Sequence, residues 1–442
     1  MKDTISYEID EHYCINHPNS SVKPTTCTTF HNTYKMYNYT NSIYKDVNVV
    51  DTDNDYLYKS VVLDEQTHQI YGFSPPKSVP NHFFSYDVST TLPTSLRSST
   101  ALQAYEDSYN SVLSADKYLI NEIVEGVMVN LWYDSFVQRW EISTKNAVGG
   151  LETLENKTIL DMFLDAIQGH GQGDLHSRIQ EMKCWKMAYS YHFVLQHPHM
   201  NVYPPQAIQP HHPISGLVNS PTLYLVAIYH IQKNIIKYIP PCCFQSWEEL
   251  SFPWLLFPRM MPNNSEIQYS TLLTYYYSPY SEIYTTGAGI MITDLQTGVR
   301  TKIVSEVFKK YRELRSNNVQ WLFQYLCLNH IQRVDNFLQY YPCFYNVFTQ
   351  FQQQYIALIQ HIHHSYMCKY IYRTKNRNQQ FEQNIDYLHN EVFLKHKILD
   401  VQPKRIITLD VVKEYVDVLS PMYVMNLLYI GTQVPIRDIE KK

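Results

Sequence analysis

A period of two dominates the first three hundred residues, and spacings of three and four take over after it. Leu57–Leu63 and Gln69–Phe73 alternate apolar and polar positions around Asp64-Glu65-Gln66-Thr67-His68, which predicts a hairpin. Ser74-Pro75-Pro76-Lys77-Ser78 should end that ladder, because proline donates no backbone hydrogen bond. Tyr118–Tyr133 and Trp140–Lys145 flank Asp134-Ser135-Phe136-Val137-Gln138 and predict a second hairpin. Tyr191–Pro198 and Pro221–Ile231 read as a further strand pair, and Val299–Val304 as a strand after Thr285–Asp294. Residues 1–50 are polar with little periodicity, so they read as a leader or a few edge strands. Residues 87–114 are Ser/Thr/Tyr-rich and read as a loop.

Helical spacing appears at Leu154, Ile159, Phe163 and Ile167, then again from Leu175 to Met187, with the glycines of 169–173 as a turn between. Trp247–Leu255 reads as helical or buried. From Ser305 onward the period stays near 3.6. Phe344–Tyr370 keeps one apolar stripe over about seven turns. Lys375–Gln383 reads as a polar linker, and helices follow at Asp386–Leu394 and Thr408–Leu419, the last with Thr408 as N-cap. The class predicted is α+β: an antiparallel-sheet domain over residues 51–304 and an all-helical domain over 305–442, with 1–50 ahead of them.

The chain has 442 residues, 36 basic and 41 acidic side chains and a net charge of −5, so no global field draws in nucleic acid. Any such contact needs a local basic strip, for which Lys77, Lys145, Arg300 and Lys302 are the candidates. Eight cysteines without CxxC spacing, and no secretory leader, predict free thiols in a reducing compartment. Cys242 and Cys243 read as two buried small hydrophobes. No apolar run approaches 18 residues, so no membrane span is expected, and the protein should be cytoplasmic. His361, His364 and Cys368 share a helix face without a second ligand pair, so no metal set is predicted. Walker A, HExxH and Ser-His-Asp patterns are absent from the sequence.

Four motifs fall in a telling order. They are Ile123-Val124-Glu125-Gly126, Ser143-Thr144-Lys145, the strand through Val194-Leu195-Gln196, and Ala288-Gly289 followed by Arg300-Thr301-Lys302. This layout resembles the covalent nucleotidyltransferases, specifically RNA ligases of the T4 type and the ligase-like proteins of large DNA viruses. The resemblance implies a nucleotidyltransferase-like domain whose groove binds nucleotide through Lys77, Glu125, Gly126, Ser143, Lys145, Gly289 and Lys302. It also implies that Gly287 and Gly289 keep the backbone close to the ligand, and it implies a nucleophilic lysine where this chain has Ile123. Carboxylates for a divalent metal are implied where Val194-Leu195-Gln196 and Ala288 stand.

An isoleucine cannot form a lysyl phosphoramidate at any pH. Lys117 lies about 20 Å upstream along an extended strand, and Lys145 falls where the family places a phosphate contact. The expectation is therefore a catalytically degenerate ligase-like protein, with nucleotide or RNA ends as ligand and no certain cofactor. An active ATP-dependent RNA ligase using a relocated lysine, with ATP and Mg2+, stays open. So does a structural or virion-associated protein with a protein partner on its helical domain.

Overall fold

Strands Tyr118–Glu122 (β7) and Val127–Asp134 (β8), read as one run in the sequence, belong to different sheets. The computed structural model describes residues 5–17, 20–39, 54–79, 112–113, 117–154, 157–167, 173–198, 220–260, 267–277, 288–315, 320–374, 379–395 and 406–432. The predicted 87–114 loop and 169–173 turn lie almost wholly outside these residues, as does Gly287. The chain divides into two compact units, Met1–Lys309 and Lys310–Lys442.

In the first unit, β8 pairs with Arg139–Ser143 (β9) through a turn with Gln138 at φ 55°. On its other side β8 pairs with Tyr189–Gln196 (β12), which pairs with Thr222–Gln232 (β13), then Ile235–Ile239 (β14) and Ser6–Glu8 (β1). Leu255–Leu256 (β15) joins β13 in parallel and completes a seven-stranded sheet. A four-stranded sheet runs Val22–Thr28 (β2), Thr33–Tyr39 (β3), Val61–Asp64 (β4) and Ile70–Phe73 (β5). The β4–β5 hairpin forms as predicted. The Asp64 carboxylate accepts from the backbone N–H groups of Gln66 and Thr67, which closes its turn. β3 is an interior strand with Tyr34, Met36 and Tyr37 fully buried, so residues 1–50 contribute core as well as edges.

The four-stranded sheet packs on one face of the seven-stranded one. Trp132 of β8 stacks on Tyr71 at 5.8 Å and meets Tyr34 edge-on at 5.2 Å. The opposite face, carrying Val129, Leu131, Phe193 and Leu195, is covered by helices Ile159–Ala166 and Leu175–Met182. Thr158 caps the first of these by accepting from Asp161 N–H, a contact worth about 1 kcal/mol. Buried Ile159, Met162, Phe163 and Ala166 give that helix its i, i+3, i+4, i+7 stripe. Leu154, predicted on this helix, instead sits in Thr153–Leu154 (β10), which pairs with Lys157–Thr158 (β11).

β7 joins Gly289–Asp294 (β17) and Arg300–Val304 (β18) in a three-stranded sheet. Ile290, Ile292 and Ile303 pack there with Leu272 of helix Tyr269–Tyr277 and with Leu113. Val112–Leu113 (β6) pairs with Ile267–Gln268 (β16).

Cys242 and Cys243 are exposed rather than buried. They ride a single turn, Pro241–Phe244, whose inward positions are taken by Pro241 and the fully buried Phe244. The region around Trp247 is a short 3-10 turn, Glu248–Leu250, and β15, with Leu250, Trp254 and Leu255 buried.

The described part of the second unit is helical. Its long helix, Tyr345–Tyr366, continues as a π turn over Met367–Ile371, and Thr408 caps Leu409–Asp417. A further helix, Pro421–Thr432, lies beyond the last one predicted. No helix among the described residues is long and apolar enough to cross a membrane.

Candidate functional site

Ile123-Val124-Glu125-Gly126 is the crossing between β7 and β8, four residues that carry the chain from one sheet to the other. It is tied on both sides. The Ile123 N–H donates to Gly289 O at 2.9 Å, and Gln196 Nε2 donates to Glu125 O at 2.7 Å. Gly126 has φ 155°, and a Cβ there would stand 2.4 Å from Leu195 O. At Gly289, φ 136°, a Cβ would stand 2.1 Å from Ile303 O. Any side chain would force neighbouring strands apart. At Gly289 the close approach that glycine permits is to the backbone of β18.

The predicted residues separate into two groups. Lys145 follows β9 and is exposed; Lys302 is exposed on β18, in a cross-strand row with Met291 and Asn121. Ser143 goes the other way: it is fully buried, and its hydroxyl accepts from Trp132 Nε1 at 3.1 Å. That contact ties the hairpin to the core. Lys77 Nζ lies 3.8 Å from the centroid of the Tyr39 ring, a cation–π contact at the edge of the four-stranded sheet. Glu125 is half-buried. Glu122, just before the crossing, is bound by Arg259 Nε at 2.9 Å.

Sequence reasoning passed over the centre of the arrangement, Lys59. Alternation along β8 and β12 puts Val129, Leu131, Phe193 and Leu195 in the core under the helices. Met128, Asn130, His192 and Val194 then face the four-stranded sheet. Lys59, two residues before β4, lays its amine against this row, with Nζ 3.2 Å from Met128 Sδ. Backbone contacts bring the other cations to it. Ser60 Oγ donates to Thr144 O at 3.3 Å, next to Lys145. The segment after β5 is pinned at both ends: Lys77 N–H donates to Tyr56 O at 2.8 Å, and Val79 N–H donates to Arg300 O at 2.8 Å. Thr301 Oγ1 donates back to Val79 O at 3.0 Å. Lys59, Lys145, Arg300 and Lys302 thus converge from three separate stretches of chain.

Their electrostatics follow from that gathering. Burial, then Arg300, Lys145 and Lys302, push the Lys59 amine down to about 7 from an ordinary 10.5. His192, fully enclosed and hydrogen-bonded through Nδ1 to the Asn130 amide, is held well below its usual range by burial, Lys59 and Arg300. It is neutral at any physiological pH. Among the described residues, no carboxylate pairs with Lys59, Lys145 or Arg300. Such a cluster can hold an oxyanion. It offers a nucleophilic amine only at Lys59, since position 123 is alkyl. A basic residue inside the otherwise apolar run Tyr56-Leu57-Tyr58-Lys59-Ser60-Val61 was the one sequence signal for it.

Metal carboxylates are missing where the resemblance requires them. Gln196 is an amide turned onto Glu125 O, and Ala288 is a buried methyl. No group of three or more His, Cys, Asp or Glu able to hold a metal occurs among the described residues. On the long helix of the second unit, His364 Nε2 and Cys368 Sγ are 3.5 Å apart, while His361 points to solvent.

No family model and no curated protein matches this sequence. Similar solved structures include the Naegleria gruberi RNA ligase with pyrophosphate, at TM-score 0.30 and 12% identity over 45% of this chain and 52% of that one. A mutant of the same ligase with AMP and manganese gives TM-score 0.29 and 13% identity over 43% and 50%. Another mutant, with ATP and manganese, gives 0.29 and 10% over 45% and 52%. The chain spans about half the length of these ligase structures.

Proposed function

We propose that the first unit is a ligase-type nucleotidyltransferase domain that binds phosphorylated ligands, nucleotide or RNA 5′ ends, in a cationic groove, and that it has lost covalent transfer at position 123. The observation that carries this is the convergence of Lys59, Lys145, Arg300 and Lys302 beside a crossing loop whose lysine slot is Ile123. Lys59, Lys145 and Arg300, without a paired carboxylate among the described residues, favour an anion beside Lys302, and phosphoryl oxygens match that charge. Divalent metal fits poorly, because Gln196 and Ala288 supply no carboxylate and the nearby charges are positive. The cations themselves would neutralise the ligand's phosphates. A partner protein on the helical unit remains a proposal without a supporting contact.

The test is incubation with α-labelled ATP and either Mg2+ or Mn2+, alongside equilibrium binding. Saturable ATP binding that weakens steeply with salt, is reduced at least tenfold by Lys145→Ala with Lys302→Ala, and leaves no covalent label is the expected result. Binding unaltered by those substitutions would remove the groove from the account. A second reading, transfer through a relocated lysine, has one observation in its favour: the Lys59 amine is neutral in about half the molecules near pH 7. An acid-labile nucleotide mapped to Lys59 by mass spectrometry would establish that reading and end the first.

A further inference from the structure

We propose that Lys59 is the proton-accepting residue of the groove: a phosphoryl oxyanion held by Lys145, Arg300 and Lys302 seats against the Lys59 amine and draws one proton onto it. This rests on the phosphate-binding reading above and adds to it a residue that no ligase-type motif marks.

Lys59 has the geometry for the role. Its amine is largely enclosed, its recorded contact is the soft thioether of Met128, and three cations face it from two elements. Those cations and the lost hydration both disfavour a fourth positive charge at Lys59. An oxyanion reverses both terms at once. It cancels the repulsion from Arg300 and the two lysines, and it supplies hydrogen-bond acceptors to an ammonium that otherwise has a sulfur atom. Lys59 therefore returns toward its ordinary range when the site fills.

The other titratable groups facing the cluster cannot supply that proton exchange. His192 on β12 is fully buried and spends Nδ1 on Asn130. Tyr7, Tyr229 and Tyr238 surround Arg300, and burial raises each phenol far above neutrality. Lys145 and Lys302 are exposed to solvent rather than enclosed with the Lys59 amine.

The same chemistry is carried by a nucleoside triphosphate and by a 5′-phosphorylated RNA end. Calorimetric titration at pH 8.5 in buffers of different ionisation enthalpy counts the protons taken up on binding. ATP, a 5′-phosphorylated oligoribonucleotide and its 5′-hydroxyl form are the three probes. The intact protein should take up close to one proton more per phosphorylated ligand than Lys59→Met does, which cancels the ligand's own titration. Lys59→Arg, charged throughout, should bind without that extra proton, so a folding defect in one variant does not decide the outcome. At pH 6, where Lys59 is already charged, the intact protein should bind at least tenfold tighter than Lys59→Met. Equal proton counts for the intact protein and both variants, with binding retained, overturn the role of Lys59 and leave the groove as a phosphate site. No binding of any phosphorylated probe overturns the groove as well. Lys59-dependent uptake with the 5′-hydroxyl RNA, equal to that of its phosphorylated form, overturns the phosphoryl assignment.

Discussion

Two lysines, one in each unit, are held in opposite ways. Lys369, in the π turn of the second unit, donates to Glu382 at 3.0 Å and to Asp386, and lies 5.4 Å from the Tyr370 ring centroid. Burial lowers its pKa, but the hydrogen bonds to Asp386 and Glu382 outweigh that, so the net shift is upward. Lys59 has no such partner among the described residues. Burial and three cations act in the same direction and bring it down to about 7. The first arrangement is electrically complete as it stands. The second becomes complete when an anion arrives, and that separates a structural charge from a functional one.

The strongest way to break this contrast is to build a counter-charge into the groove. Arg300→Glu should return Lys59 toward its ordinary range and weaken ATP binding by at least a hundredfold, since losing one unit charge about 5 Å away costs roughly 3 kcal/mol at an effective dielectric near 20 and reversing it costs about twice that. The readouts are the ATP affinity and the midpoint of Lys59 modification by an amine-selective reagent against pH. A midpoint still near 7 would mean that enclosure alone depresses the amine.

Stability against pH sharpens the contrast further. Lys59 is depressed when folded, so its penalty is fully present below about pH 7 and relieved as pH rises toward 10.5, where the unfolded chain also loses the proton. Unfolding free energy should therefore gain at most about 1.4 kcal/mol per pH unit across that window relative to Lys59→Met. Urea titrations at pH 6, 8 and 10 measure it, and parallel curves would refute it. Glu141 does not interfere. Burial raises it to about 7, so its stabilising contribution is lost between pH 4.5 and 7, below the Lys59 window. Lys369 is raised when folded, so its contribution is fully present at neutral pH and fades only above 10.5.

The smallest effects belong to the second unit. Lys369→Met should cost about 1 kcal/mol, the scale of a partly exposed ion-pair network, and leave ATP binding unchanged. Lys395→Ala, which removes an exposed i,i+4 pair with Glu391, should cost about 0.3 kcal/mol. Chemical denaturation ranks the two. A loss at Lys395 equal to that at Lys369 would show that closure by two carboxylates adds nothing.

Elements set by local alternation were legible in the sequence. The hairpin at Asp64–His68, the turn before Arg139, the long helix and the Thr408 cap all follow from short-range chemistry. The break inside Tyr118–Tyr133 was not, because its apolar text is continuous and the cause is a change of partner from β17 to β12. Exposure of Cys242 and Cys243 was missed for a related reason: Pro241 and Phe244 already fill the inward side of that turn. Ile123 and the glycines could be located from their neighbours in the motif. Lys59 could not, since what depresses its amine is burial under the sheets and then residues 145, 300 and 302, far away in the chain.

The side-chain amide of Gln196 constrains which substitutions the crossing loop can accept. It donates to the carbonyl of Glu125 and so fastens the crossing loop to β12. A glutamate at that position would set an ionised acceptor against a carbonyl acceptor in a buried place. Gln196→Glu would therefore loosen the loop unless residues 123–126 moved with it. The amide works as a latch: a carboxylate at this position is open to the chain only through coordinated changes in the crossing loop.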